Sequence, residues 1–342
     1  MSAARVNALV IGAGRMGRRH IEVLRQLDVE VVGVVDKMQA SLDAAHTESK
    51  VRKDRLFTDA HEALRAQKPD LVVIATTAPT HAEFTVAAAE AGAKYILCEK
   101  PMATSLADCD RMLEACAKSG ARLAINHQMR YMAQYTEPKR LLESPEFGGV
   151  TSITVVAGNF GMAMNGTHYL EMFRYVTGDW PERVQAWFSD EDVPNPRGPE
   201  FRDKAGCLRL EGRAGKRFYM DIGADQGHGM YVVYGARHGR IEVDELAGWM
   251  RMVHRKAEHR ELPTTRYGMP WVEDRTAIPP ADVIEPTRRV VEDLLNGGDY
   301  PGGAHGRLAV AALVAAYHSD ETGHAAVPLD GPLPADRKLP WA

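Results

Sequence analysis

From Val6 to Asn126 short apolar runs alternate with stretches whose apolar residues recur at helical spacing: VNALVIG, RRHIEVLRQL, VEVVGVVD, then PDLVVIAT, HAEFTVAAAEAG, KYILCEK and RLAIN. Runs that are apolar throughout suit strands buried on both faces, and the helices between them supply the crossovers of a parallel sheet. The pattern predicts a doubly wound α/β domain over residues 1–126. In such sheets ligands gather at the carboxyl ends of the strands.

After Asn126 the rhythm changes. GGVTSITVVAGNFG, RVQAWFSDED, AGCLRLEGRAG, RFYMDIGAD, MYVVYGARHG and RIEVDELAGWM read as strands joined by polar, glycine-rich turns, with the partial alternation of a half-exposed sheet. Residues 127–342 are therefore expected to form an α+β domain with a large open, mainly antiparallel sheet, for substrate and oligomer contacts. Two helices, GTHYLEMFRYVTG ending on Gly178 and PTRRVVEDLLNGG ending on Gly297, are expected to flank it. The alanine-rich GRLAVAALVAAYHSDETG should be a buried helix, and the charged, proline-rich Arg255 to Pro280 a long loop.

Composition narrows the function classes. With 342 residues, 45% of them hydrophobic and 26% charged, the chain has room for two domains with sizeable cores. A formal net charge of -4 gives no electrostatic reason to expect nucleic acid. Cys98, Cys109, Cys116 and Cys207 form no C-x-x-C pair and no zinc-ligand spacing, so free thiols and no metal are expected. The start runs straight into a strand without a separate apolar region and cleavage site, and the apolar run Leu308 to Tyr317 is far below membrane-span length. A cytoplasmic protein with no membrane partner is expected.

Candidate chemistry begins at Gly12-Ala13-Gly14-Arg15-Met16-Gly17, a G-x-G-x-x-G loop between a strand and a helix. Gly12 permits the tight turn, Gly14 lets a pyrophosphate approach the backbone, and Gly17 lets helix and strand pack closely; the helix N-terminus offers N–H groups to phosphate. The next strand ends in Asp36, about 20 residues on, where a carboxylate binds the adenosine ribose 2′-OH. This is a Rossmann-type dinucleotide site. Asp36 favours NAD by repelling a 2′-phosphate, while the adjacent Lys37 keeps NADP open.

A second feature is ILCEKPMATS, where a buried strand stops at Glu99-Lys100-Pro101. Proline has no N–H for the ladder, so the strand ends at the ligand crevice with an amine on its edge. A lysine there can donate to developing alkoxide charge.

With GAGRMGRRH, TTAPTHAEFTVAAAEAGAKYILCEKPMA, GTHYLEMFRYVTG and YHSDETGHAAVPL in order, the chain resembles the Gfo/Idh/MocA oxidoreductases over essentially its whole length. The resemblance implies that Lys100 lies beside the nicotinamide and holds or polarises the reacting hydroxyl, that Pro101 is cis, and that Glu99 lines the cofactor site. It places Thr76, Thr77 and His81 in the loop near the nicotinamide end. It implies that His168 exchanges the hydroxyl proton, from a D-x-G-x-H-x-x-D pattern in which this chain keeps Gly166 and His168, replaces the last aspartate by Glu171, and carries Met164 at the first acidic position. Asn165 and Glu171 then become substrate contacts; Arg130 and Tyr131 face substrate or cofactor, or serve interdomain packing. Tyr169, Arg174 and His228 are not separable from core and surface residues.

The expected activity is NAD(P)-dependent hydride transfer at a secondary alcohol or ketone of a sugar, cyclitol or sugar derivative, by a homodimer or homotetramer. Two alternatives stay open: a redox-cycling glycosidase or lyase, and a nicotinamide-sensing binding protein, which Met164 keeps in play.

Overall fold

The computed structural model describes residues 5–195, 197–227, 229–263, 265, 269–279 and 282–342. By its internal contacts the chain divides into two units, the first of residues 1–128, 283–310 and 335–342, the second of 129–282 and 311–334. The sequence pattern placed everything after residue 126 in the second domain; in the structure two later segments group with the first.

The first unit is built on β1 (Asn7–Ile11), α1 (Arg15–Gln26), β2 (Glu30–Val35), α2 (Gln39–Thr47), β3 (Leu56–Phe57), α3 (Ala60–Gln67), β4 (Leu71–Ile74), α4 (His81–Glu90), β5 (Tyr95–Cys98), α5 (Leu106–Ser119) and β6 (Arg122–Ile125). Its six strands are parallel in the order β3-β2-β1-β4-β5-β6. The order reverses between β1 and β4, and a crevice opens at the carboxyl ends of such a pair. All four residues of β4 are buried, as a strand covered by helices on both faces requires. α1 turns Gly17, His20, Ile21 and Leu24, one helical stripe, into the core. Asp59 and Ser105 cap α3 and α5 by accepting from Glu62 N–H and Asp108 N–H.

The second unit follows with α6 (Ala133–Leu142), β7 (Val150–Gly158), α7 (Gly166–Thr177), β8 (Pro181–Pro194), β9 (Arg202–Gly212), β10 (Arg217–Gly223), β11 (Met230–Ala236), β12 (Gly239–Asp244), β13 (Trp249–Arg255) and β14 (Trp271–Ala277). Later come α8 (Ile284–Asn296), α9 (Gly303–Glu321) and β15 (Val327–Pro328). Nine strands form one sheet in the order β14-β13-β12-β11-β7-β10-β9-β8-β15. Every pairing is antiparallel except β7 with β10. One face buries Ile153, Val155, Leu208, Met220, Val232 and Ile241; α7 packs on β7 there.

Two expectations change. α8 ends on Gly297 in the left-handed region as expected, but its apolar stripe packs against α1, β5 and β6 in the first unit rather than flanking the second sheet. Within Arg255 to Pro280, β14 forms an edge strand paired with β13. Its sequence WVEDRTA is exposed at nearly every position, so it lacks the alternation of a half-buried strand. The buried run of α9 extends from Ala309 to Tyr317, as its composition implies.

Candidate active site

In the first unit the glycine loop has the geometry its residues predict. Gly12 sits at φ +100, and a Cβ on it would come 2.6 Å from the Ala75 carbonyl oxygen. A Cβ on Gly17 would collide with the Gly12 carbonyl, so close contact between helix and loop depends on both glycines. A Cβ on Gly14 would meet nothing within 4 Å. The loop is therefore open at its middle glycine, the place where a pyrophosphate approaches, and α1 begins there with no side-chain cap competing for its first N–H groups. Ala13 is buried, Met16 half-buried and Arg15 exposed.

Asp36, at the end of β2, accepts from Ala13 N–H at 2.8 Å and from Met38 N–H at 2.9 Å. Its carboxylate is fixed against the loop, at the place where the ribose of a dinucleotide is read. Lys37 is exposed. The residues present thus fit NAD: loop and helix for the phosphates, Asp36 for the ribose.

The Glu99 carboxylate occupies the crossover of three elements. Its Oε1 accepts from Asn126 Nδ2 at 2.8 Å and lies 2.7 Å from His20 Nε2 on α1, while Oε2 faces the Lys100 N–H at 3.4 Å. Burial alone would raise this carboxyl, but the His20 bond, the charge of Lys100 and the Asn126 bond together hold it at about 2. Glu99 is therefore an anion at any working pH. Lys100, half-buried, follows it, and the Lys100–Pro101 peptide is cis.

In the loop after β4, the Thr80 hydroxyl donates to the Thr77 carbonyl at 3.0 Å and lies 2.8 Å from the Thr76 hydroxyl, from which it accepts. His81 is fully buried, its Nδ1 3.0 Å from the Pro101 carbonyl and its Nε2 3.2 Å from the Thr76 carbonyl. Burial pulls its pKa down. This side chain braces the loop against the Pro101 segment, and the half-buried Thr76 and Thr77 are the members of the trio with exposed surface.

In the second unit His168 is buried in the first turn of α7, its N–H bonded to the Asn165 carbonyl at 3.0 Å. The half-buried Asn165 sends its amide to the Phe160 carbonyl at 3.2 Å. Met164 holds no acid, but its N–H and that of Ala163 both point at the buried Asp203 carboxylate of β9, at 2.7 and 2.9 Å. Arg130 and Glu171 meet each other at 2.7 Å, both buried, and the Arg130 guanidinium lies 4.7 Å from the Tyr175 ring centre. Tyr131 is half-buried. Tyr169 donates to Glu245 Oε2 at 3.0 Å, and burial lifts the Glu245 carboxyl to about 7. His228 lies outside the described residues.

His20, Asn126, Asp203 and Glu245 were not singled out by the sequence. A signal existed only for His20, which shares the buried stripe of Gly17, Ile21 and Leu24; a polar residue on such a stripe implies a buried partner. Among the described residues no group of histidine, cysteine or carboxylate side chains could hold a metal ion.

A family model described as the oxidoreductase family with an NAD-binding Rossmann fold, GFO_IDH_MocA, matches residues 6–127. The D-apiose dehydrogenase of Paraburkholderia graminis is 27% identical over 91% of this chain and 86% of that protein. Inositol 2-dehydrogenase 2 of Saccharopolyspora erythraea is 30% identical over 69% of this chain and 71% of that one. Among solved structures, an Agrobacterium radiobacter oxidoreductase in complex with NAD+, L-tartaric acid and magnesium aligns with a TM-score of 0.79 at 17% identity, covering 95% of this chain and 99% of that one. Loop, acidic strand end, E-K-P segment and full-length relatives agree, and the chain belongs to the Gfo/Idh/MocA family of NAD-binding oxidoreductases.

Proposed function

We propose that this oxidoreductase moves hydride between NAD and a secondary alcohol or ketone of a sugar, cyclitol or sugar derivative. The observation that carries the reading is Glu99, ionised at the carboxyl end of β5 immediately before Lys100. The substrate class draws on relatives named D-apiose dehydrogenase and inositol 2-dehydrogenase.

NAD supplies the hydride acceptor or donor at its nicotinamide ring. Gly12 to Gly17 and the start of α1 would hold the phosphates, Asp36 the ribose, and Thr76, Thr77 and Glu99 the nicotinamide end. Lys100 donates a hydrogen bond to the substrate oxygen and stabilises the alkoxide formed when the hydroxyl gives up its proton, which becomes the carbonyl as hydride leaves. His168 exchanges the hydroxyl proton, being of the residue type whose ordinary pKa lies near neutrality. Tyr131 and Asn165 lie beside the substrate, and the Arg130–Glu171 pair sets the position of α7.

A homodimer or homotetramer through the open face of the second sheet belongs to the same reading. Along one register row of that face stand Trp187, Cys207, Asp221, Val156, Tyr231, Asp244 and Trp249. Trp187 and Val156 are each 42% exposed there. No helix among the described residues is long and apolar enough to cross a membrane, and we place the protein in the cytoplasm.

The test incubates the protein with NAD+ and a panel of inositols, aldoses and polyols, following reduced nicotinamide and product. Oxidation of at least one cyclitol or sugar, lost in His168→Asn with NADH affinity kept, is the expected result. Turnover of substrate without net reduced nucleotide would instead mark a redox-cycling cleavage, and tight nucleotide binding without hydride transfer a sensor.

A further inference from the structure

We propose that His20 is a positioning residue for the hydride-transfer site, a neutral Nε2–H donor on the nucleotide-loop helix that fixes the Glu99 carboxylate so that Lys100 supplies its counter-charge. The inference rests on the role of Lys100 given above, and it is argued from hydrogen-bond accounting around one buried carboxylate.

His20 is 1% exposed and lies five residues beyond Arg15, the first residue of α1, about 7.5 Å along the axis at the usual helical rise. Its Nε2 is 2.7 Å from Glu99 Oε1, and a carboxylate accepts only, so the proton is on Nε2. Its Nδ1 is buried without a hydrogen-bond partner among the described residues. A second proton on the ring would leave a charged N–H buried and unpaired, which costs more than a bare lone pair. The ring is therefore neutral.

Oε1 then takes two neutral donors, His20 and Asn126, from α1 and from the end of β6. The Glu99 N–H is tied to the Ile74 carbonyl and the Asn126 N–H to the Cys98 carbonyl, so β4, β5 and β6 also clamp the backbone on either side. Neutral donors orient an anion and do not cancel it. The cation left to answer Glu99 is Lys100, whose charge lowers the Glu99 pKa. The other titratable groups that feel this carboxylate, His81 after β4 and Cys98 on β5, are buried, and burial biases both toward their neutral forms. An ionised Glu99 in turn keeps Lys100 an ammonium, the form that donates to an alkoxide.

The arrangement also joins the two ends of the cofactor site. The helix that offers its N-terminus to the phosphates carries, on its buried stripe, the donor that sets the carboxylate beside Lys100.

The test reads the pH at which Lys100 becomes reactive toward an amine-acylating reagent, residue by residue by mass spectrometry, with neither nucleotide nor substrate present. The midpoint is expected about one pH unit lower in His20→Phe, lower still in Glu99→Gln, and restored in His20→Gln, which keeps a neutral N–H donor. A midpoint that rises in His20→Phe would mean that His20 is a cation, and an unchanged midpoint that it only packs; either overturns the proposal. Should His20→Phe not fold, nitrogen NMR of the wild-type imidazole decides: a protonated Nε2 with a bare Nδ1 at neutral pH is expected, and two protonated nitrogens overturn it. Because no turnover is measured, failure here is distinct from failure of the proposed polyol chemistry.

Discussion

Two buried glutamates, one in each unit, have their proton affinities driven in opposite directions. Glu99 is met by His20, Asn126 and the charge of Lys100 and is held at about 2, whereas Glu245 is met by the Tyr169 hydroxyl and the like charge of Asp244 and rises to about 7. Burial pushes both the same way. Donor number and the sign of the neighbouring charge decide the outcome, so depth alone says nothing about whether a carboxyl serves electrostatics or packing. The first unit has an ionised carboxylate at its strand ends; the second has a carboxyl that exchanges its proton near neutrality beneath the helix that carries His168.

The most severe way to break the contrast is to remove the cation. Lys100→Met is expected to lower hydride transfer about 10³-fold while NADH affinity, read by fluorescence titration, stays within a few-fold of wild type. A comparable loss of affinity would make Lys100 a binding residue and leave the catalytic role without support.

The contrast is sharpened by the pH dependence of stability, where the two glutamates have opposite signs. The Glu245 carboxyl binds its proton more tightly in the folded state, so its contribution is full below the ordinary value of 4.5 and is lost as pH rises through about 7. Glu99 binds its proton less tightly when folded, so its contribution is full above 4.5 and is lost as pH falls toward 2. Glu245→Gln should therefore flatten the decline in urea-measured stability between mildly acidic and mildly alkaline pH, an effect of at most about 3 kcal/mol. Glu99→Gln should leave that decline in place, and equal slopes in wild type and Glu245→Gln would remove Glu245 from the account.

A smaller effect is expected where the Asp203 carboxylate holds the backbone that leads into α7. Asp203→Ala leaves the Ala163 and Met164 amides without their acceptor and should cost about 2 kcal/mol in denaturant unfolding. Because those residues lead into the first turn of α7, kcat should fall more than NADH affinity. If kcat is untouched, the loop does not position His168.

Much of the first unit was legible because strands buried on both faces and glycines with steric work leave strong local marks: LVVI, GAGRMG and the stop at Pro101 each name their own geometry. Partnerships across the fold leave none. Asp203 stands at the start of an ordinary strand, β9, and lies 39 residues from Met164, so nothing local announces its acceptor role. The stripe of α8 shows that it packs but not on what, and β14, exposed at nearly every position, has no period to read. At 164 the motif showed a methionine where an acid was expected, and only the folded chain reveals a carboxylate bonded to that residue's backbone.

The single parallel pairing of the second sheet has a consequence for how that unit assembles. β8, β9 and β10 meander into one wing and β11, β12, β13 and β14 into another, each joined by neighbours in sequence, while β7 pairs with the inner strand of both. Within either wing each strand pairs with its neighbour in sequence, but their union waits on one strand that pairs with residues some sixty positions or more away, the kind of loop closure that slows folding. β7 is thus the seam of the sheet, and until it is seated the unit is two ribbons rather than one body.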